Sequence, residues 1–422
     1  MLNLNFHFIR DLKRKLFPFY KNKDLKYVFH KLQDNSSKGT IAARFVGGCV
    51  RKHLTGEIID DIDIATILTS DEIKQTFKDT KFKIIESGIK HGTITLKSDK
   101  HKLELTTLRK DIETDGRHAE VKYIDNWILD SERRDFTINA IYLDINGKIF
   151  DPQTGTVDLK NNNIKFIGDP QKRIQEDYLR IIRFLRFSIE YNSLADTKTI
   201  EALKLNLDGI TKISKERILD ELFKILKLKN FENIIQDKNK KLIFSLIFPE
   251  LKYLERMLRM YKIDKSLKAK GKNLLAVLLV DEKDSHEYFL HKYNVSKEVK
   301  DSLNLLGQNF KLQKKNKNFF SKNLEKNIYF FGKEHIKLLN LLEFLSNTKY
   351  NLKNFFITLR KISNSKIQKF PYDGEYFIRK GMKEGLVLGK VIKILENEWV
   401  DNNFKISDKR VQDVIKQNLF QI

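Results

Sequence analysis

The sequence predicts an α+β protein: a head of mixed sheet and helices over residues 1–150, then an all-helical neck (151–228) and an all-helical body and tail (229–422). Three observations predict this. Short β-rich runs bounded by turn residues fill the first 150 positions. From about residue 158 apolar residues recur at i, i+3, i+4 and i+7, the period of amphipathic helices. Beyond about residue 230 the helical pattern continues, broken by lysine-rich stretches such as KLQKKNKNFFSKN and with no turn-rich series of strands.

AARFVGG (42–48) reads as a strand entering a turn, and VRKHLTG (50–56) as a short helix closed by Gly56. Strands follow at IDIATI, FKIIE, GTITLK, KLELTTL and AEVKYI. Asn146-Gly147 between apolar flanks in IYLDINGKIFD signals a hairpin. RIQEDYLRIIRFLRFSIEY (173–191) and SKERILDELFKIL (214–226) each carry one apolar helical stripe.

Composition narrows the function. The chain has 422 residues, 80 Lys+Arg against 56 Asp+Glu and a formal charge of +24, which favours a polyanionic partner. Lysine supplies most of that charge; six of the 18 arginines fall between 133 and 186, where a planar bidentate fork is expected to be needed. One cysteine, Cys49, excludes an internal disulfide framework and favours a reducing, cytoplasmic location, in which no disulfide-linked partner is expected. The longest apolar runs, LLAVLLV and LIFSLIF, fall far short of the ~18 residues of a membrane span, so no membrane partner is expected.

GGCVRKHLTGEIIDDIDIAT (47–66) holds the candidate chemistry. Asp61 and Asp63, two apart at a strand, project to one face and repel each other unless a cation lies between them. Oxygen-preferring Mg²⁺ is the expected cation, held by few protein ligands and by substrate phosphates. Gly47-Gly48 at a strand-to-helix turn lets backbone N–H groups approach an anion, and Arg51 adds a guanidinium nearby. Glu104, on the strand KLELTTL, is a candidate third ligand. A phosphate-binding turn beside two carboxylates is the constellation for nucleotidyl transfer.

Further along, Asp135 and Asn139 in RRDFTINA are four apart and would share one helical face suited to a ribose, with Arg134 reaching phosphate. In EDYLRIIRFLR, Asp177, Arg180 and Arg183 are expected on one helical stripe. A carboxylate accepts from the exocyclic amine of cytosine or adenine, and a guanidinium donates to ring acceptors of the same edge. Asp177 and Arg180 can therefore accept C and A and reject G and U. Glu176, Arg183 and Arg186 read as orienting or triphosphate-side groups.

GGCVR, DIDIAT, RRDFTINA (133–140), DPQTGTVDL (151–159), EDYLRIIRFLR (176–186) and SKERILDEL (214–222), in this order, resemble the motif series of the class II tRNA nucleotidyltransferases, the CCA-adding enzymes, and the related bacterial poly(A) polymerases. The resemblance covers roughly residues 40 to 225. It implies a polymerase-β-like palm with helical neck, body and tail, and addition of CCA to the 3′ end of tRNA from CTP and ATP without a template. Lys52 departs from the pattern, since many relatives carry an acidic residue after the arginine. Within the family, poly(A) addition and A-only or CC-only addition compete. RKDIETDGRHAEVKY, with Gly116 as hinge candidate, and IKHGTITL favour the full CCA activity. A pure RNA-binding module would explain the charge but not the paired carboxylates. A tail phosphohydrolase is disfavoured because His286 and His291 in SHEYFLHKY have no His-Asp pair.

Overall fold

The computed structural model describes residues 18–36, 40–88, 92–114 and 119–419. The chain packs as two compact units, one ending at Pro249 and the other beginning at Glu250.

The first unit opens with α1 (Lys23–Asp34), started by an Asn22 side chain that accepts from the Asp24 N–H at 2.8 Å. The head then alternates β1 (Ala43–Val46), α2 (Gly48–Thr55), β2 (Ile62–Thr66), α3 (Ser70–Phe77), β3 (Lys83–Gly88), β4 (Thr93–Lys97) and β5 (Lys102–Thr107). A ribbon of β6 (Arg109–Thr114) and β7 (Ala119–Tyr123), helix α4 (Trp127–Glu132) and the hairpin β8 (Tyr142–Leu143) and β9 (Ile149–Phe150) complete it. Gly56, left-handed at φ +73°, closes α2 as its sequence position predicts.

Seven strands form one sheet in the order β3-β4-β5-β2-β1-β8-β9. Only the β2–β5 contact is parallel; the other neighbours run antiparallel. Ile62, Ile64, Leu103, Leu105, Ile94 and Leu96 are buried, so alternation along the central strands drives one set of side chains into the core. That alternation leaves Asp63 and Glu104 on the opposite face.

The segment RKDIETDGRHAEVKY is, where described, the antiparallel β6–β7 ribbon with a bulge between Asp111 and Glu113, with AEVKY a strand as expected. Gly116 lies outside the described residues, as do residues 89–91 of IKHGTITL.

The neck follows as α5 (Gly155–Lys160), α6 (Pro170–Glu176), α7 (Leu179–Glu190), α8 (Thr197–Leu205), α9 (Lys215–Leu226) and α10 (Lys238–Ile247). Ile181, Ile182, Phe184 and Leu185 of α7 and Ile218, Leu222 and Ile225 of α9 are buried, and α7 packs on both α9 and α10. Phe136 and Phe166 pack on Phe184, with the Phe166 and Phe184 rings stacked at 5.6 Å.

Two local expectations are corrected. The stretch 173–191 is two helices, because the Asp177 backbone is extended and its carboxylate accepts from the Leu179 N–H at 3.1 Å, a local turn that competes with a continuous helix. Residues 134–139 are not one α-helical face: Phe136 is extended and only Thr137–Asn139 turns, as a 3₁₀ helix. Asn139 still donates to Asp135 at 2.9 Å.

The second unit is helical, with Lys297–Lys315, Lys333–Ser346 and Leu386–Asp401 among its longer elements. The apolar run at 274–280 is buried, most of it in a helix, and no helix among the described residues is long and apolar enough to cross a membrane.

Candidate active site

β1 runs straight into a left-handed residue, Gly47 (φ +71°), from which α2 starts. A Cβ at Gly47 would stand 3.6 Å from Asp63 Oδ2, so glycine supplies the backbone angle and keeps the turn close to the carboxylate. Asp61, just before β2, is exposed; Asp63 is half-buried between Ile62 and Ile64. Asp63 pairs in register with Glu104 on β5. Burial, then the Glu104 charge and further on that of Asp61, push the Asp63 carboxyl up to about 6, against the pull of Arg134 and Arg51. A divalent cation fits this donor set: it would turn the mutual repulsion into attraction. Asp61 and Asp63 would hold it, with Glu104 behind them; Glu104 itself is paired with Lys102 at 2.6 Å.

These carboxylates open onto a cleft of about 930 Å³. Gly47, Gly48, Arg51, Asp61, Asp63, Arg134, Asp135, Asn139, Asp177, Arg180, Arg183 and Arg186 all line it, joined by Arg133, Glu176, Arg217 and Lys224. Glu104 alone of the residues singled out in the sequence is not in its wall.

The arginines are held rather than loose. Arg51 is buried, donates to Tyr191 Oη at 2.8 Å and to Asn139 Oδ1, and lies over the Phe187 ring. Lys52 pairs with Asp60, leaving Asp61 and Asp63 untouched. Arg134 donates to Asp130 at 3.0 Å and to Tyr142 Oη at 3.1 Å. Burial would raise the Asp130 carboxyl, but Arg134 and Arg133 overcome it and hold it well below the carboxylate range. Asp135 behaves alike: burial opposes, while Arg183 at 2.7 Å and the Asn139 amide hold it low.

Asp177 and Arg180 both face the cleft but do not pair with each other. Arg180 donates to Glu176 at 2.6 Å and to the Arg173 carbonyl at 2.6 Å. Asp177 instead accepts from Arg217 at 2.7 Å. Arg186 donates to the buried Glu221 at 2.7 Å. Asp130, Arg217 and Glu221 are the supporting residues that sequence reasoning missed. Asp130 had a signal, a carboxylate inside the apolar turn WILDSE four residues before Arg134; the other two act from a distant helix.

In the second unit, Asp284, His286 and Glu287 bring ligand-type atoms within 4.8 Å of one another, but the Lys311 ammonium already pairs with Asp284.

Known proteins share this architecture. Residues 43–165 match the poly A polymerase head domain, and residues 195–254 match the probable RNA and SrmB-binding site of polymerase A. Over these two segments the chain is similar to the poly(A) polymerase family of nucleotidyltransferases. Mitochondrial CCA tRNA nucleotidyltransferase 1 of Danio rerio is 41% identical over 217 residues, 49% of this chain and 50% of the relative. The Homo sapiens protein of that name is 46% identical over 187 residues, 43% of each chain, and the CCA-adding enzyme of Lactobacillus helveticus is 40% identical over 185 residues, 43% of this chain and 45% of that one. The chain thus spans about half the length of the curated relatives it matches. In fold the likeness is longer: a Bacillus stearothermophilus CCA-adding enzyme in complex with CTP superposes with a TM-score of 0.70 at 22% identity, over 93% of this chain and 96% of that one. A Thermotoga maritima CCA-adding enzyme complexed with tRNA gives 0.61 at 22% identity, over 94% and 95%. The fold of the head and of the helical remainder is therefore like that of these solved structures.

Proposed function

We propose that this chain is a CCA tRNA nucleotidyltransferase, adding C, C and A to the 3′ end of tRNA from CTP and ATP, with release of pyrophosphate at each step. The single observation that carries the reading is one arginine-lined cleft that holds both the Asp61–Asp63 carboxylates and the Asp177–Arg180 pair. A divalent cation, Mg²⁺ by the hardness of the oxygen donors, supplies charge neutralisation for the triphosphate when bound. Relatives carrying CCA-adding names and neighbours described with CTP, ATP and tRNA support the same substrates.

In chemical terms the tRNA 3′ oxygen forms a bond to the α-phosphorus, and the bond to the bridging oxygen toward the β-phosphate breaks. Asp61 and Asp63, with Glu104 adjoining, would hold the divalent cation, whose charge would let the reacting phosphate approach these carboxylates. Gly47 and Gly48 admit the phosphates close to the backbone, and Arg183 and Arg186 offset their charge. Asp135 and Asn139 present a rigid hydrogen-bonding pair to the sugar, and Arg134 braces that wall from behind. Asp177 accepts the exocyclic amine of C or A, while Arg180 donates to the same edge. Roles then divide along the chain: transfer in 1–150, base choice in 151–228, and tRNA phosphate binding by the lysine-rich 229–422. The reducing, cytoplasmic setting rests on the lone buried thiol of Cys49.

The test uses tRNA transcripts ending before CCA, each nucleotide singly and all together, with products sized to one nucleotide. CCA addition gives two residues with CTP alone and a third on adding ATP. A second reading, poly(A) addition, is favoured by the head-domain match and gives instead a long ladder with ATP alone. A-only or CC-only addition would stop at its own step.

A further inference from the structure

Ser214–Leu222, one of the ordered motifs, has no task in the chemistry above. It opens α9, and two of its side chains, Arg217 and Glu221, are four apart and so share a face. Each is joined to a group of opposite charge in the nucleotide-selecting segment. Arg217 Nη2 donates to Asp177 Oδ2 at 2.7 Å. Glu221, 2% exposed, accepts from Arg186 Nε at 2.7 Å and lies 3.7 Å from Arg183 Nη1.

Asp177 needs such outside support because it sits in the break between α6 and α7, where no helical backbone fixes it. Its Oδ1 takes the Leu179 N–H and its Oδ2 takes Arg217, so both oxygens are oriented. The next residue is pinned too. A Cβ at Gly209 would meet the Tyr178 ring at 2.0 Å, so the ring packs directly against that glycine, and Lys212 stands 5.5 Å from the ring centre. Each carboxylate oxygen has two lone pairs, so this bracing leaves acceptor capacity for an incoming amine.

We propose that Arg217 is a positioning residue for base selection, fixing the direction in which Asp177 accepts, and that Glu221 on the same face does the corresponding work for Arg183 and Arg186. A carboxylate that chooses between an amine and a carbonyl oxygen discriminates only if it cannot swing aside from the wrong partner. The ion pair supplies that stiffness before the nucleotide arrives. The inference rests on Asp177 and Arg180 as base readers.

The test compares kcat/KM for all four nucleotides in wild type, Arg217→Ala, Arg217→Lys, Asp177→Ala, Glu221→Gln and the Arg217→Ala/Asp177→Ala double variant. Arg217→Ala is expected to lower the preference for CTP over UTP by roughly tenfold, the worth of about one charge-assisted hydrogen bond. Arg217→Lys should recover part of it. In the Asp177→Ala background the loss of Arg217 should not change the preference further, because Arg217 acts through Asp177. Glu221→Gln should instead raise KM for all four nucleotides together. Should Arg217→Ala fail to fold, Arg217→Gln, which keeps an N–H donor but no charge, carries the same comparison. A wild-type preference in the Arg217 variants, alongside a lost preference in Asp177→Ala, overturns the positioning role alone. A wild type that incorporates nucleotides without preferring C or A overturns the underlying reading instead.

Discussion

Asp63 and Glu104 stand opposite each other across the one parallel strand pair of the sheet, two carboxylates in register on a face that the alternation of β2 and β5 turns away from the core. With Asp61 two residues away, three negative groups lie close together, and only Glu104 of them has a lysine partner, Lys102 at 2.6 Å, among the described residues. The Asp63 carboxyl responds by rising to about 6. This is a site whose fold resists its own charge until a cation enters.

Asp61→Ala and Asp63→Ala should each abolish nucleotide incorporation while leaving the protein folded, since each removes an oxygen ligand without opening the core. Charge stabilisation by a bound metal is worth several kcal/mol, so the loss should reach roughly three orders of magnitude or more. Single-turnover rates at saturating Mg²⁺, with circular dichroism as control, check this; a wild-type rate in either variant removes the metal assignment. Glu104→Ala should cost less, because its carboxylate lies outside the cleft wall and is already paired with Lys102.

The raised Asp63 pKa gives a stability test independent of activity. In metal-free protein the folded carboxyl holds its proton up to about 6, whereas the unfolded one releases it near the ordinary value of 3.8. Between these values the native state binds more protons, so this group's contribution is fully present below about pH 4 and is lost as pH rises through 6. Asp63→Asn, free of that penalty, should melt higher than wild type at pH 7.5 in chelator, by at most about 3 kcal/mol. The gap should close near pH 4. Adding Mg²⁺ at pH 7.5 should raise the wild-type Tm and leave the variant's nearly unchanged.

Much of this was legible in the sequence, and the reasons differ from place to place. Gly47, Asp61 and Asp63 could be read because the strand period and the glycine turn are local facts within 20 residues. The Asn146-Gly147 hairpin and the Gly56 helix end are local in the same way. Asp177 is the contrary case. Periodicity ran through it as one helix, yet its backbone is extended there, and its partner Arg217, 40 residues on, and the neighbouring Tyr178–Gly209 contact are distant in sequence. Arg134 is another: it lines the cleft as its neighbours suggested, but its bonds to Asp130 and Tyr142 left no mark in the periodic pattern. Long-range ion pairs leave no periodic trace, so the wall of the cleft was legible and its bracing was not.

Asp130 tests that bracing. It is fully buried and bonded to Arg133, Arg134 and Tyr142. Asp130→Ala should destabilise the head by about 3–5 kcal/mol, because it leaves buried guanidinium groups uncompensated. Urea unfolding at pH 7 measures it. A change below 1 kcal/mol or so would show that water replaces the carboxylate without loss.

The lysine-rich segment at 311–322 is expected to bind tRNA phosphates, but its lysines are not equivalent. Lys311 pairs with Asp284 and Lys314 with Glu343, whereas Lys315, Lys317 and Lys322 are exposed. Reversing those three charges should raise KM for tRNA, leave nucleotide KM nearly unchanged, and lower the slope of log affinity on log salt by about 2 to 3. An unchanged slope would show that they form only a solvated surface.

The sharpest expectation concerns Arg180. Its guanidinium is held by Glu176 at 2.6 Å and by the Arg173 carbonyl, with 11% of its side chain exposed in the cleft. Held this way, it presents its remaining N–H groups in one direction, and a base edge that offers no matching acceptors leaves them unpaired. Such a mismatch at a desolvated polar site is worth several kcal/mol of discrimination. Arg180→Ala should therefore lose selectivity against UTP and GTP as well as rate, with Glu176 left as an uncompensated charge. Arg180→Lys should fold and keep the charge but lose the fork, so rate should recover more than selectivity. If Arg180 served only to tie α6 to α7, the outcome would be different: Tm would fall, all four nucleotides would slow alike, and Lys would restore them alike. Comparing kcat/KM ratios among the four nucleotides, with Tm measured on the same preparations, decides between the two, and ratios unchanged from wild type in Arg180→Ala would remove Arg180 from base choice.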